Sequence, residues 1–186
     1  MSSLPVRTGR FALAGIVAAI PSIVLMELTD RLAGRGNGPR LLFDLVPPLS
    51  VAVALWWIAR QEGVMRKARG GMNLLAIAIA AVASWNLARQ IYVDVHGSAA
   101  LYFAGAAGAL LLALPLPWMW SASRHAGFML LAAIAAGILG VVLANLLRAP
   151  IHTPWLNHDR WLYLLMPVWQ GTVFAALAFT RQVLRG

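Results

Sequence analysis

The residues able to do acid–base, anion or metal chemistry are few, and each stands close to a long apolar run. Glu27 and Arg31 are four residues apart, so on a helix they share a face and can form a local ion pair. Asp44 lies about one turn inside an apolar run, where a lone carboxylate is costly, so it needs a cation. Arg40 and Arg89 are its candidate partners. Arg89 and Arg148 each carry a forked guanidinium. As a converging pair they could hold a phosphate or carboxylate. Asn86 and Asn145 stand three residues before these arginines. Such amides bond between membrane helices or orient a ligand.

His96, His152, His158 and Asp159 form a second group. Imidazole and carboxylate donors suit zinc or a harder metal. Their spacing fits no metal signature such as H-E-x-x-H, so no metal is favoured and no cofactor is expected. Asp159 can also sit favourably at the start of the last helix. Other chemistries are excluded. The chain has 0 Cys, which removes disulfides, thiolate metal sites and Cys nucleophiles. Lys67 is the one lysine and lies in a basic loop, so a retinal Schiff base is excluded. No His lies at the middle of an apolar run to hold haem, and there is no Walker A loop or G-x-S-x-G. Trp85 and Trp169 lie away from the ends of the runs. Core packing is their first expected role, and lining a ligand cavity the second.

The elements that must position these groups are membrane helices. Of 186 residues, 61% are hydrophobic and 11% charged, and the mean hydropathy is +0.75. A soluble domain carries about 25% charged residues. The chain is therefore expected to be an all-α polytopic membrane protein forming one domain. A span needs about 20 mostly apolar residues to cross about 30 Å of hydrocarbon. Six stretches qualify: Phe11–Leu28, Leu41–Ala59, Met72–Ala88, Ala99–Trp120, Ala126–Leu147 and Trp161–Thr180. The first is read as a retained span rather than a signal peptide, because five more follow. Pro21, Pro47, Pro48, Pro115 and Pro167 lie inside spans and are expected to kink them.

The formal net charge is +9. The basic residues are scattered between apolar runs without a nucleic-acid signature, so nucleic acid is not an expected partner. The imbalance is read as topology. With six spans, one side holds nine cations and the other six. The positive-inside rule then places both termini in the cytoplasm of a bacterial-type inner membrane. The cytoplasmic face suits anionic membrane lipids. Glu27, Asp30, Asp44, Asp94 and Asp159 all fall on the outer side, and Glu62 alone falls inside. Trp56, Trp57, Trp118 and Trp120 at one interface, with Tyr92, Tyr102, Trp155 and Trp161 at the other, read as aromatic belts.

The chain also aligns with itself. Glu27, Asn86 and Asn145 are spaced 59 and 59 apart, as are Asp30, Arg89 and Arg148. Phe43, Tyr102 and Trp161 follow the same offset. This allows three hairpin repeats around a pseudo-threefold axis. Small residues four apart, such as Ala14/Ala18, Ala76/Ala80/Ser84 and Ala132/Ala136/Gly140, let helices approach closely. They predict the first, third and fifth spans at the bundle centre, with their polar ends converging on an outward-facing basin.

The function these readings favour is binding or transport of a small anionic or amphipathic ligand through an extracytoplasmic-facing polar site. Glu27, Arg31, Asp44, Asn86, Arg89, Asn145 and Arg148 form that site. One alternative is a membrane-embedded hydrolase or transferase acting on a lipid, with His and Asp of the outer loops activating water. Another is an accessory subunit whose charges pair with partner membrane helices. Whether the protein is an enzyme stays open. Glu27-Leu-Thr-Asp-Arg31 has the E-x-x-x-R spacing of intramembrane CAAX-type proteases. Met26 replaces their second Glu, and their later F-x-x-x-H and H-x-x-x-N elements are missing, so that resemblance is rejected. In size, span number and outward site the chain is similar to the substrate-capturing subunits of energy-coupling-factor vitamin transporters. That likeness is of topology and covers no motif.

Overall fold

The computed structural model describes residues 4–32, 40–65, 70–95, 99–120, 125–148 and 161–183. These form eight helices: α1 (Leu4–Ala18), α2 (Ile20–Leu32), α3 (Arg40–Gln61), α4 (Gly70–Asp94), α5 (Ala99–Ala113), α6 (Leu116–Met119), α7 (Ala126–Arg148) and α8 (Leu162–Val183). There is no strand among the described residues. Among the described residues five stretches are long and apolar enough to cross a membrane, namely Pro5–Leu25, Gly70–Asp94, Ala99–Met119, Ala126–Arg148 and Tyr163–Arg181. Large apolar side chains such as Leu75, Ile79 and Leu131 are more than 60% exposed on the outside of the bundle. Water would not tolerate so continuous an apolar exterior, whereas hydrocarbon does. This is the architecture of a multi-pass membrane protein.

The prolines act in two ways. Pro21 and Pro115 interrupt their helices, because proline has no N–H to offer the carbonyl four residues earlier. The chain compensates with tighter turns: the Ala19 N–H donates to the Ile16 carbonyl at 3.1 Å and the Leu114 N–H to the Leu111 carbonyl at 3.3 Å. Pro21 then falls in the first turn of α2, where a missing N–H costs nothing. Pro47, Pro48 and Pro167 stay inside continuous helices. The Ser50 hydroxyl lies 2.7 Å from the Pro47 carbonyl and 2.8 Å from the Ala18 carbonyl. It therefore joins the proline region of α3 to the break between α1 and α2.

The helices close into a ring in the order α1, α8, α7, α5, α4, α3 and back to α1. The short α2 extends α1 and packs on α3, and α6 packs on α7. Two polar contacts show the directions of travel. Arg7 at the start of α1 meets Glu62 just past α3, and Glu27 in α2 meets Tyr163 at the start of α8. The end holding Leu4, Glu62 and Val183 is called the terminal face, and the end holding Glu27 and Tyr163 the distal face.

This ring differs from the expected centre of odd-numbered spans. Here α1, α4 and α7, from the first, third and fifth expected spans, pack chiefly between α3, α5 and α8, from the second, fourth and sixth, rather than on one another. The small residues do bring backbones together, but across odd–even pairs. A Cβ built on Gly137 of α7 would overlap the Gly105 carbonyl of α5. On Gly15 of α1 it would lie 2.5 Å from the Gln170 carbonyl oxygen of α8. Ser84 of α4 donates to the Gly108 carbonyl of α5 at 2.7 Å. Sequence periodicity reveals which face of a helix is small, but not which neighbour meets it. Two aromatics also differ from belt anchors. Trp120 is fully buried edge-on against Phe11, with centroids 6.2 Å apart, and Trp161 is buried beneath Arg148.

Replacing Gly137 by Val should therefore pry α5 from α7. Overpacking of this kind costs about 1–3 kcal/mol, read as a lower midpoint of unfolding in mixed micelles. Gly127→Ala, where a Cβ meets nothing within 4 Å, should leave that midpoint unchanged or raised.

Candidate functional site

Two groups of polar residues mark the ends of the ring. On the terminal face, α3 ends in a Schellman turn. The Val64 N–H donates to the Ala59 carbonyl at 3.0 Å and the Gly63 N–H to the Arg60 carbonyl at 3.1 Å. Gly63 has φ +63°, a conformation that suits glycine at this position. The turn points the Glu62 carboxylate inward, where its side chain is 3% exposed. Arg7 lies 3.1 Å and Arg10 2.5 Å from its two oxygens. A buried carboxylate needs such pairing, and removing its partners would leave a costly lone charge. The cluster closes the α1–α3 seam, which is less extensive than its neighbours around the ring. In the sequence Glu62 is a single acid beside a basic loop, and nothing there signals its burial.

The distal face carries most of the expected site residues, and the structure sorts them into pairs. Arg89 on α4 pairs with Asp44 on α3, so Arg89 is one cation that meets Asp44. The Tyr163 hydroxyl donates to Glu27 at 3.1 Å. The Asn145 amide of α7 lies 3.4 Å from the Tyr102 hydroxyl of α5. The Arg148 guanidinium lies 5.5 Å from the centroid of the Trp161 ring, a cation–π contact. Asn86 is exposed and donates to the Val82 carbonyl of its own helix at 2.8 Å. Arg89 and Arg148 are on α4 and α7, which α5 separates in the ring. The structure thus gathers these residues at one end as a rim of pairs rather than as one cluster. The side chains of Arg31 and Arg40 lie outside the described residues, as do His96, His152, His158 and Asp159.

Directly inside this rim lies a chamber of about 130 Å³. Its walls come from α3, α4, α5, α7 and α8. Pro48 and Val51 line one side, Ser84, Trp85 and Ala88 a second, and Leu101, Ala104 and Gly105 a third. Ala81, Leu112, Val141, Leu165, Met166, Trp169 and Gln170 complete it. Most of these positions fall in the distal part of their helices, and Ala88 and Leu101 directly adjoin the rim residues Arg89 and Tyr102. The walls are almost wholly apolar, and two of their polar groups are committed. Ser84 bonds the Gly108 carbonyl, and the Trp169 indole N–H lies 3.3 Å from the Gly105 carbonyl.

Trp169 shapes the chamber because glycines let it. A Cβ on Gly140 would lie 2.8 Å from the Trp169 Cα, and one on Gly105 3.2 Å from its Nε1. Trp85 and Trp169 both line this chamber, and Trp169 also packs against the buried core, the first role expected for it. Sequence reasoning missed Gln170. Its signal was a lone amide inside an apolar span, the feature that drew notice at Asn86 and Asn145. Comparison of the chain with family models, curated proteins and solved structures returns no match.

The Asp44–Arg89 pair ties α3 to α4 beside the chamber. Charge reversal at either residue should lower the unfolding midpoint, and the double reversal should recover most of it. The expected coupling is about 0.5–1 kcal/mol, as for a partly exposed pair.

Proposed function

We propose that this protein binds, and passes or presents within the membrane, a small amphipathic ligand taken from the extracytoplasmic side. In this reading the chain spans a bacterial-type inner membrane six times with both termini in the cytoplasm, and the distal face is the outer one. The ligand's apolar part enters the chamber and its polar or anionic head stays at the rim. Arg89 and Arg148 attract the head, Asn86 and Asn145 orient it, and Glu27, Arg31 and Asp44 set the local charge.

The observation carrying this reading is an apolar chamber whose wall residues adjoin a charged and amide-bearing rim. A wholly anionic solute would lose its hydration inside walls that offer no cation. An amphipathic one matches each layer with its own chemistry. The same juxtaposition favours binding over water activation, since no acid or imidazole belongs to the chamber wall.

Two outcomes test the reading. Protein in lipid nanodiscs should bind a fluorescent medium-chain carboxylate saturably. Ala81→Phe, which fills the chamber, should weaken binding at least about tenfold, or 1.4 kcal/mol. Ala135→Phe, on the exposed side of α7, should not. Equal binding by the two variants would refute the chamber assignment. For orientation, the cysteine-free chain provides a silent background. An impermeant thiol reagent should label Thr153→Cys in intact cells and label Ala68→Cys only in inverted vesicles. The opposite pattern would reverse the topology.

A further inference from the structure

Gln170 distinguishes this chamber from a simple packing gap. It projects from α8 among Leu165, Met166 and Trp169, and is only 3% exposed. Its Oε1 is buried and accepts no hydrogen bond among the described residues. Buried side-chain polar atoms are paired in the large majority of cases, so an orphan calls for an explanation. Backbone slack does not supply one. Gly15 of α1 packs directly on the Gln170 carbonyl, which holds this turn of α8 in place. Nor do Ser84 or the Trp169 indole supply one, because both are already engaged with backbone carbonyls. A trapped water would need two to four polar partners, and the apolar walls make that a poor site.

We infer that the guest seated in the chamber is a compact, uncharged ring bearing a hydrogen-bonding group, and that the Gln170 carboxamide is the residue that reads it. The inference rests on the amphipathic-ligand reading and specifies the part of the ligand that enters. Size supports a ring, since the 130 Å³ chamber is close to the cavity of about 150 Å³ that accepts benzene in another protein. Wall chemistry supports a ring too, because Trp85 and Trp169 both line the space and aromatic pairs prefer each other's edges and faces. The lack of any charged lining residue supports a neutral guest. A carboxamide both donates and accepts, so a phenolic hydroxyl, a ring N–H or a ring carbonyl would satisfy it.

Competition in nanodiscs tests this. Phenol and toluene are matched rings that differ in a hydroxyl and a methyl. Each is scored for displacing the fluorescent carboxylate, after correction for partition into lipid. Phenol should bind about tenfold more tightly than toluene, the upper range for one net hydrogen bond. Q170L, an apolar side chain of similar size, should erase that preference while still admitting toluene, which also shows that the variant is folded. Equal displacement by both rings in the unmodified protein would overturn the inference. So would a phenol preference that survives Q170L. If neither ring displaces a carboxylate that itself binds saturably, the ring inference falls and the amphipathic reading stands. If the carboxylate does not bind, both fall.

Discussion

The backbone contact between Gly105 and Gly137 sets the spacing on which the rest of the bundle depends. In hydrocarbon, helices gain nothing by hiding apolar surface from water, so association rests on close fit and a few hydrogen bonds. Here α5 and α7 touch through glycines, and α1 and α8 touch through Gly15 and Gly171. The α7–α8 contact is also made over a glycine, with Gly140 packed under Trp169. These approaches fix α8 between α1 and α7. They turn Trp169 toward α5, where its indole reaches the Gly105 carbonyl. The chamber is the space left when one large side chain is held at such a junction and its neighbours are small.

Closing the ring poses a different problem. The α1–α3 seam lacks a glycine contact of this kind and is held by polar groups at two heights. Ser50 joins the proline-broken stretches near mid-depth, and Glu62 with Arg7 and Arg10 secures the terminal face. Each of these groups satisfies another that would otherwise be costly in a low-dielectric setting. At the terminal face the α1–α3 seam is thus tied by a buried carboxylate and two cations. The distal face keeps its polar residues in separate pairs beside the apolar chamber.

Much of the fold is legible in the sequence, because composition and run length report directly on hydrocarbon burial. The helices, their apolar exterior and the gathering of polar residues at one end can all be read that way. Asp44 inside an apolar run already demands a cation, and Arg89 supplies it. The neighbour relations are less legible. A small-residue stripe on α7 meets α5 and α8, and nothing in its periodicity selects them over α1 or α4. Likewise Glu62 reads as a surface acid until the Schellman turn at Gly63 points it inward. Gln170 is a single amide in an apolar run, and sequence does not distinguish one that bonds between helices from one beside a cavity. Only the surrounding walls show that here it faces a space.

In the proposed function the distal chamber, rather than the apolar exterior, receives the ligand. A photoreactive medium-chain carboxylate bearing a diazirine near its apolar end tests this most directly. On illumination in nanodiscs, the label should attach to peptides holding Ser84–Ala88 and Leu165–Gln170 and be lost when excess unlabelled carboxylate is added. Labelling spread over exposed positions such as Leu75, Ile79 and Leu131, and indifferent to competitor, would contradict it.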